Sequence, residues 1–279
     1  ILPATAPAAG DKPGFDKRPI MLRAMAREMA RSLAKLKMPG FDPPYFVAYE
    51  MKDTDSRHVQ ARYGAVYKSS TDQSRRLRAE VRVGSYQFDN VGSKKSEYGF
   101  SFSPGYRVSS YGPLDDDPQS LRNSLWLMTD EEYKGALKSY LKRKSKLVTE
   151  VEEEEVADSF SREKPSIYTQ PRRSLAFDQD HWEQIARTAS AQFDRNPAIF
   201  DSYVTTDAGH EVRYFTNSEG SRIITEHTIY SVSIYGVTRA DDGMLLKSRR
   251  TIYARQEGKL PDEQAVIEEL KRVADAGVS

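Results

Sequence analysis

Apolar residues recur at helical spacing in the stretch that begins at Pro19 and ends before Pro39-Gly40. Intervals of three and four residues separate Leu22, Met25, Met29, Leu33 and Leu36. This spacing places the apolar side chains on one face of a helix, which packs against a protein core. Pro and Gly commonly follow helix ends, so the sequence predicts one amphipathic helix here. Its methionines are expected to fill the core rather than to bind a cofactor.

Alternation of apolar and polar residues follows this helix and predicts three strands. They run from Tyr45 to Lys52, from His58 to Tyr67 and from Ser74 to Phe88. Successive side chains of a strand point to opposite faces. In the third strand one face is therefore expected to be buried, and the other, with Arg76, Arg78 and Arg82, to be solvated. Contact of this arginine row with an acidic partner is the alternative interpretation.

The middle of the chain carries helix-capping signals. Gly92 to Gly112 shows no period and is predicted to be a long loop. Asp115-Asp-Asp-Pro118 can cap and open a short helix, and Thr129-x-x-Glu132 forms a capping box for a second one. A divalent cation bound by the three aspartates is the alternative, since hard cations prefer clustered oxygens. Helix capping explains the aspartates without a metal.

A second set of elements follows Asp178 or Asp180, either of which can cap a helix that ends at Asn196-Pro197. Four strands then form a predicted meander: Ile199 to Thr206, His210 to Thr216, Arg222 to Arg239 and Met244 to Arg255. The turns between them are Asp207-Ala-Gly209, Asn217-Ser-Glu-Gly220 and Asp241-Asp-Gly243, all of which suit hairpins. Pro261 opens a last amphipathic helix.

This order of elements argues for the α+β class, with antiparallel sheets flanked by amphipathic helices. The acidic run Glu150 to Glu155 and the polar stretch Ser159 to Arg173 indicate a boundary. The predicted parts are a disordered or extended tail at 1–18, a helix, three-stranded sheet and helix pair at 19–155, a linker-like stretch at 156–173, and a helix, four-stranded meander and terminal helix at 174–279. One continuous domain over 19–279 is the alternative.

Composition narrows the function classes. Forty-two basic and forty-one acidic residues give a net charge of +1, so no global field attracts nucleic acid or an anionic membrane. No apolar run approaches the roughly 18 residues of a membrane span, and a soluble protein is expected. Without cysteine, disulfides, thiolate metal ligands and a cysteine nucleophile are excluded. The Pro-rich, small-residue start resembles a mature terminus after signal removal, which favours an extracytoplasmic location over the cytoplasmic alternative.

A peptidase zinc site needs three protein ligands, and helical motifs supply two histidines close together on one face. The four histidines are His58, His181, His210 and His227, and their spacing excludes such a motif. With Ser218 and Glu219 at the centre of a turn, antiparallel pairing places His210 opposite His227. Two facing imidazoles could hold a metal, although an ordinary cross-strand pair is the simpler interpretation. No serine elbow or phosphate-binding glycine loop occurs, so no catalytic residue is predicted.

Basic clusters keep nucleic-acid binding open as a hypothesis. They lie at Arg75-Arg76, Lys142-Arg-Lys144, Arg172-Arg173 and Arg249-Arg250. Their scatter over both halves of the chain and the balanced net charge favour solvated surface as the interpretation.

Several motifs, in their order along the chain, resemble the amino-terminal half of the TldD/PmbA metallopeptidases. They are the long first helix, Val81-Arg-Val-Gly84 with Phe88-Asp-Asn90, the helix pair at Trp126, and Tyr214-Phe-Thr-Asn-Ser-Glu-Gly220. The resemblance covers Met21 to Arg255. It implies an α+β domain that helps to cover a peptide substrate, zinc in a catalytic region elsewhere, and a homo- or heterodimer with a related subunit. The family's His-Glu-x-x-x-His helix has no counterpart in this sequence, so no zinc ligand carries over.

The leading hypothesis is a non-catalytic amino-terminal part of such a metallopeptidase, which contributes peptide-cleft and dimer surfaces. The predicted peptide or partner contacts are Asn217, Ser218, Glu219 and Gly220, with Arg76, Arg78 and Arg82. A plain hairpin is the alternative interpretation of the loop, because Asn and Gly tolerate positive φ. A stand-alone peptide- or protein-binding scaffold is the second hypothesis, and nucleic-acid binding is the third.

Overall fold

The computed structural model describes residues 16–91, 108–149, 158–195, 199–239 and 242–275. The helices in these ranges are α1 (Arg18–Lys35), α2 (Pro118–Thr149), α3 (Gln179–Ala191) and α4 (Glu263–Asp275), with short 3₁₀ helices at Gln192–Arg195 and Glu257–Lys259. The strands are β1 (Pro44–Arg62), β2 (Ala65–Val83), β3 (Val108–Tyr111), β4 (Ile167–Thr169), β5 (Ile199–Asn217), β6 (Arg222–Arg239) and β7 (Leu245–Ala254).

All seven strands belong to one sheet with the order β3-β2-β1-β5-β6-β4, and β7 also pairs with β6. The β6–β7 pair is antiparallel. A sheet of this kind with four separate helices confirms the predicted α+β class. Over the described ranges, no helix combines the length and the apolar character needed to cross a membrane.

The chain divides into two compact units, each made of three stretches. Unit 1 comprises Ile1–Met51, Leu77–Ile167 and Tyr214–Ile224, and unit 2 comprises Lys52–Arg76, Tyr168–Arg213 and Thr225–Ser279. The domain boundaries argued from the sequence stay a prediction. In unit 1, the fully buried Tyr49 of β1 lies 3.4 Å from the Ser32 hydroxyl of α1 and 2.5 Å from the Thr129 hydroxyl of α2. These contacts join β1 to both helices.

Unit 2 has its own core beneath α3 and α4. The buried cluster includes Trp182 and Ile185 of α3, Val266 of α4, and Val204 and Ile234 of the sheet. The helix cap is Asp178, whose carboxylate accepts a hydrogen bond from the His181 N–H at 3.0 Å. An aspartate cap satisfies an amide that the helix itself leaves unpaired. The predicted end of this helix at Asn196-Pro197 lies outside the described residues.

Two long strands replace the three short ones predicted for the first β region. β1 and β2 meet at Tyr63-Gly64, where φ is +46° and +79°. Two-residue turns with positive φ match the twist of the flanking strands. The predicted break between Tyr67 and Ser74 is wrong, because pairing continues through polar residues that face solvent. Asp207-Ala-Gly209 is likewise not a turn but lies within β5, where Ala208 is buried.

α2 is a single helix where two were predicted. The Thr129 hydroxyl donates to the Leu125 carbonyl one turn earlier and does not cap a new helix. Serine and threonine can bond back in this way without ending a helix. Asp117 does cap α2, since its carboxylate accepts from the Ser120 N–H at 2.7 Å.

Several sequence predictions lie on parts of the chain that are not described. β3 occupies part of the predicted loop from Gly92 to Gly112, which is therefore not irregular throughout. Residues 92–107 of that loop lie outside the described residues, as do the first fifteen residues of the predicted tail and the run Glu150 to Glu155.

Candidate functional site

The turn between β5 and β6 is a three-residue loop. The Asn217 N–H donates to the Ser221 carbonyl at 3.3 Å, and the Ser221 N–H donates to Asn217 Oδ1 at 2.9 Å. Gly220 closes the loop with φ of +103°, a left-handed conformation that glycine adopts most readily. The turn thus has one residue more than the two-residue centre expected from the sequence.

This additional residue shifts the pairing of β5 with β6 by one position. His210 Nδ1 lies 2.7 Å from the Thr228 hydroxyl and Nε2 lies 3.6 Å from Glu226, whereas His227 is exposed. The predicted facing of His210 and His227 is therefore wrong, because a one-residue slip moves a side chain to the other face of a strand. Among the residues that the structure describes, no three metal-ligating side chains form a group that could hold an ion.

Hydrogen bonds tether the turn within unit 1. The Ser218 N–H donates to the Val47 carbonyl at 2.8 Å, and the Val47 N–H donates to the Ser218 hydroxyl at 3.1 Å. On the other side, the Ser166 N–H donates to the Ser221 hydroxyl at 3.1 Å. Groups that a free turn would offer to a peptide are thus used inside the protein. The contact role of Asn217 and Ser218 stays a prediction, and their observed role is to hold the turn.

Glu219 joins the turn to an aromatic cluster. The Tyr86 hydroxyl donates to Glu219 Oε1 at 2.9 Å. The Tyr86 ring is stacked on Phe160 with centroids 6.0 Å apart, and it meets Tyr45 edge-on at 4.8 Å. The guanidinium of the exposed Arg162 lies 4.9 Å from the centroid of the same ring. Glu219 and Arg162 therefore place opposite charges on one aromatic side chain.

Arg82 is buried beneath this cluster. Its guanidinium donates to Glu80 at 2.6 Å and to Asp89 at 2.7 Å, and it lies 3.8 Å from the centroid of Phe160. Only 7 % of Arg82 is exposed. The predicted solvated arginine face is therefore wrong at this position, because Phe160 and the residues after β2 cover the end of the strand.

The other two arginines of the predicted row differ from Arg82. Arg76 is exposed, and Arg78 is partly exposed with its guanidinium 3.5 Å from Glu50. They belong to different units, with Arg76 in unit 2 and Arg78 in unit 1. The expected alternation of buried and wet positions holds around Arg76: Arg75 lies on the buried face, is 4 % exposed and pairs with Asp53 at 2.5 Å.

Asp89 is the centre of the polar network. It is fully buried and accepts hydrogen bonds from Arg82, from the Tyr45 hydroxyl at 3.0 Å and from the Val91 N–H at 2.7 Å. Arg143 of α2 lies 3.6 Å from the same carboxylate. A buried carboxylate needs such partners, because desolvation otherwise opposes its charge. The network fixes the segment that carries Tyr86.

The glycine and asparagine around Asp89 shape the backbone. Gly84 has φ of +105°, and Asn90 replaces a strand partner by accepting from the Val83 N–H at 2.8 Å and donating to the Val81 carbonyl at 3.3 Å. The motifs Val81-Arg-Val-Gly84 and Phe88-Asp-Asn90 therefore form one structural unit.

Comparison with known proteins gives matches at the level of structure. No protein-family model matches the chain, and no curated protein matches it significantly. A proposed modulator of a DNA gyrase from Thermotoga maritima aligns with a TM-score of 0.51 and 10 % identity, over 89 % of this chain and 47 % of its own. A second proposed modulator of DNA gyrase, from Bacteroides thetaiotaomicron, gives a TM-score of 0.55 and 12 % identity, over 90 % and 49 %. The chain has the fold of the TldD/PmbA-type proteins.

The match covers only part of each solved chain. TldE from Thermococcus kodakarensis aligns with a TM-score of 0.47 and 11 % identity, over 93 % of this chain and 47 % of its own. This chain spans about half the length of the solved structures that it matches.

Within this TldD/PmbA-type fold, sequence reasoning found the turn and missed its surroundings. Tyr86, Phe160 and Arg162 were not singled out, because their partners are distant in sequence. Asp89 was noted only as part of the motif Phe88-Asp-Asn90, and its role as a buried partner of Arg82 was not predicted.

An opening in the surface lies wholly within unit 2. It encloses about 350 Å³ and is lined by residues that include His58, Lys68, Asp72, Asp207 and Tyr253. His58 Nδ1 lies 2.7 Å from Asp207 Oδ1. The lining also includes Arg57, so carboxylates and cationic side chains are balanced, and the opening favours neither charge.

Alkaline pH is expected to weaken unit 1 through Tyr45. Burial raises the pKa of Tyr45 above its ordinary value of 10, and the Asp89 carboxylate raises it further. The folded state thus holds the phenolic proton more tightly than the unfolded state. This contribution to stability is complete below about pH 10 and is lost as the pH rises from there towards the folded pKa.

Urea unfolding of the parent and of Tyr45→Phe, between about pH 8 and pH 11.5, measures this effect. At the lower pH the variant should be less stable by about 1 kcal/mol, because the hydrogen bond to Asp89 is lost. The gap should narrow as the pH rises, since phenylalanine has no proton to lose. Tyr67→Phe, at an exposed tyrosine, is the control and should follow the parent. A gap that stays constant over the whole range contradicts the prediction.

Proposed function

We propose that this chain is a non-catalytic amino-terminal part of a TldD/PmbA-type metallopeptidase. It would form part of a peptide cleft and of a subunit interface for a catalytic region located elsewhere. The main support for the proposal is the share of each chain that the fold match covers. The match takes in 89 % and 90 % of this chain but 47 % and 49 % of the two solved chains. The sequence also lacks the His-Glu-x-x-x-His run that the resemblance associates with zinc. We therefore assign zinc to the other region.

We place the peptide contact at Glu219, Arg162 and Tyr86. Glu219 uses one carboxylate oxygen for the Tyr86 hydroxyl, and Arg162 rests on the ring of the same tyrosine. Charged groups held by a packed aromatic side chain lose little conformational freedom when they bind a ligand. They suit the charged termini or side chains of a peptide. Asn217 and Ser218 are positioning residues for this surface.

The test combines the purified chain with a full-length TldD/PmbA-type subunit and a casein digest as the peptide probe. Size-exclusion chromatography detects complex formation, and mass spectrometry identifies captured and cleaved peptides. We expect a complex and captured peptides. The chain alone should leave the peptides uncleaved in the presence of zinc, because hydrolysis needs an activated nucleophile with its supporting groups. Cleavage that follows the isolated chain through repurification contradicts the proposal.

Variants of the turn distinguish residues that support the fold from residues that contact a peptide. Glu219→Gln keeps an acceptor for Tyr86, so its unfolding free energy should change by less than about 0.5 kcal/mol while peptide capture falls. Gly220→Ala should cost about 1–2 kcal/mol because φ is +103°, whereas the new Cβ would make only an ordinary contact with Pro165, at 3.4 Å. Glu219→Ala removes the acceptor and should cost about 1 kcal/mol. An exposed turn carboxylate without a partner would lose almost nothing, but Glu219 is bonded to Tyr86.

Other outcomes identify the competing functions. A complex that forms without peptide capture, or with equal capture by the parent and Glu219→Gln, favours a scaffold. A single-stranded DNA oligonucleotide titrated over a salt series tests nucleic-acid binding, because phosphate-driven affinity falls steeply as salt rises. Absence of binding at low salt excludes that hypothesis.

A further inference from the structure

β7 forms an outer edge of the sheet and lies wholly within unit 2. In the described part of the chain it pairs with β6 only, from Tyr230↔Ala254 to Arg239↔Leu245. Every residue of β7 is exposed or partly exposed, and the strand contains neither proline nor glycine. An edge of this kind presents unpaired N–H and C=O groups that a further extended chain can use.

The two faces of β7 have different surroundings. Arg250 forms an ion pair with Glu269 of α4, so its face is the one next to that helix. Because side chains alternate along a strand, Lys247, Arg249 and Tyr253 lie on the opposite face. All three are exposed, Tyr253 at 67 %. No described residue pairs with Lys247 or Arg249.

Lys247 and Arg249 determine which charge an added strand must carry to bind at the edge of β7. Antiparallel pairing of two β7 strands around this region would bring basic side chains opposite each other, and like charges in that position are destabilising. Lysine on an edge strand is a known protection against such self-association. The same charges are neutralised when the added strand carries carboxylates at alternate positions. Tyr253 offers its ring to the apolar parts of that strand.

We propose that the outer edge of β7 is a docking site for an extended acidic peptide segment. The segment adds as a further antiparallel or parallel strand and places its carboxylates beside Lys247 and Arg249. Backbone hydrogen bonds supply the alignment, and charge supplies the selection. The site shares no residue with the surface at Glu219, and it stands whether or not the proposed peptidase function is correct.

The probe for this site is a blocked eight-residue peptide of alternating Thr and Glu, labelled with a fluorophore and titrated at low salt. Peptides in which Gln or Lys replaces Glu are matched for length and strand tendency. We expect the Gln peptide to bind at least about tenfold more weakly than the Glu peptide and the Lys peptide not to bind. Added salt should weaken binding of the Glu peptide, because the cations are exposed.

Two double variants locate the site on β7. Lys247→Glu with Arg249→Glu should weaken binding of the Glu peptide at least about tenfold. Lys259→Glu with Lys271→Glu makes the same change of net charge at exposed positions outside β7 and should alter affinity less than about twofold. Circular dichroism and thermal unfolding establish that both variants are folded as the parent is.

Amide hydrogen exchange distinguishes strand addition from charge attraction alone. Residues on an edge strand direct alternate amides outward, so the Glu peptide should slow exchange at every second amide of β7. The proposal is overturned if the Glu peptide does not bind at low salt, if both double variants bind it equally well, or if it binds without protecting β7 amides.

Discussion

Gly84→Ala is expected to cost about 3–5 kcal/mol of unfolding free energy, the sum of backbone strain and a steric clash. Gly84 has φ of +105°, and a Cβ there would lie 2.4 Å from the Phe88 carbonyl oxygen and 2.6 Å from Tyr140 Cε2. The Phe88 oxygen belongs to the backbone that holds Asp89, so it has little room to move. Urea unfolding followed by circular dichroism measures the loss.

Gly243→Ala separates the two causes. Gly243 also has positive φ, at +88°, but among the described residues no atom beyond its chain neighbours lies within 4 Å of the position of its Cβ. The strain alone should cost about 1–2 kcal/mol, so the difference between the two variants reports the clash at Gly84. Equal losses for both variants would show that the packing around Gly84 opens to admit a methyl group.

Asp89→Ala is expected to cost about 3–5 kcal/mol, because it leaves a buried guanidinium without one of its two carboxylates. Arg82 would retain only Glu80, and the Tyr45 hydroxyl and the Val91 N–H would lose their acceptor. Differential scanning calorimetry or urea unfolding gives the magnitude. The loss should exceed that of Tyr45→Phe, which removes one member of the network and leaves no charge unpaired.

The matched control is Asp130→Ala. Asp130 pairs with Lys134 at 2.6 Å on the solvated side of α2, with both side chains well exposed. Exposed pairs of this kind contribute little, and the cost should stay below about 0.5 kcal/mol. If Asp89→Ala costs no more than Asp130→Ala, water replaces the lost partners and the network does not stabilise unit 1.

Elements with a strong local period were predictable from the sequence. The stripe from Leu22 to Leu33 gave α1, Asp178 gave the start of α3, and the alternation from Arg222 to Arg239 gave β6 with its bounds. The need for glycine at position 220 was also readable, because few other residues tolerate positive φ. In each case the period, the cap or the turn residue lies within one short stretch, so the chain carries the signal locally.

The tertiary structure decided what depends on distant partners. Polar residues such as Ser69 and Thr71 suggest a turn, yet pairing with β1 keeps them in β2. By alternation, Arg82 belongs to the solvated face of β2. Phe160 covers it, although Phe160 lies 78 positions later in the chain. Thr129 has the sequence pattern of a helix cap. In the structure it lies inside α2, where its hydroxyl contacts the Tyr49 hydroxyl and donates to the Leu125 carbonyl.

The register of β5 with β6 shows most clearly what cannot be predicted from the sequence. A turn of two residues and one of three are equally compatible with Asn217-Ser-Glu-Gly220, and the choice moves His227 away from His210. The bonds from Ser218 to Val47 select the longer turn together with the Asn217–Ser221 pair. Sequence by itself therefore determined α1, the start of α3, β6 and the glycine that closes the turn. Burial of charge, strand continuity and register were decided by contacts between segments that are far apart in the chain, and local period carries no information about those contacts.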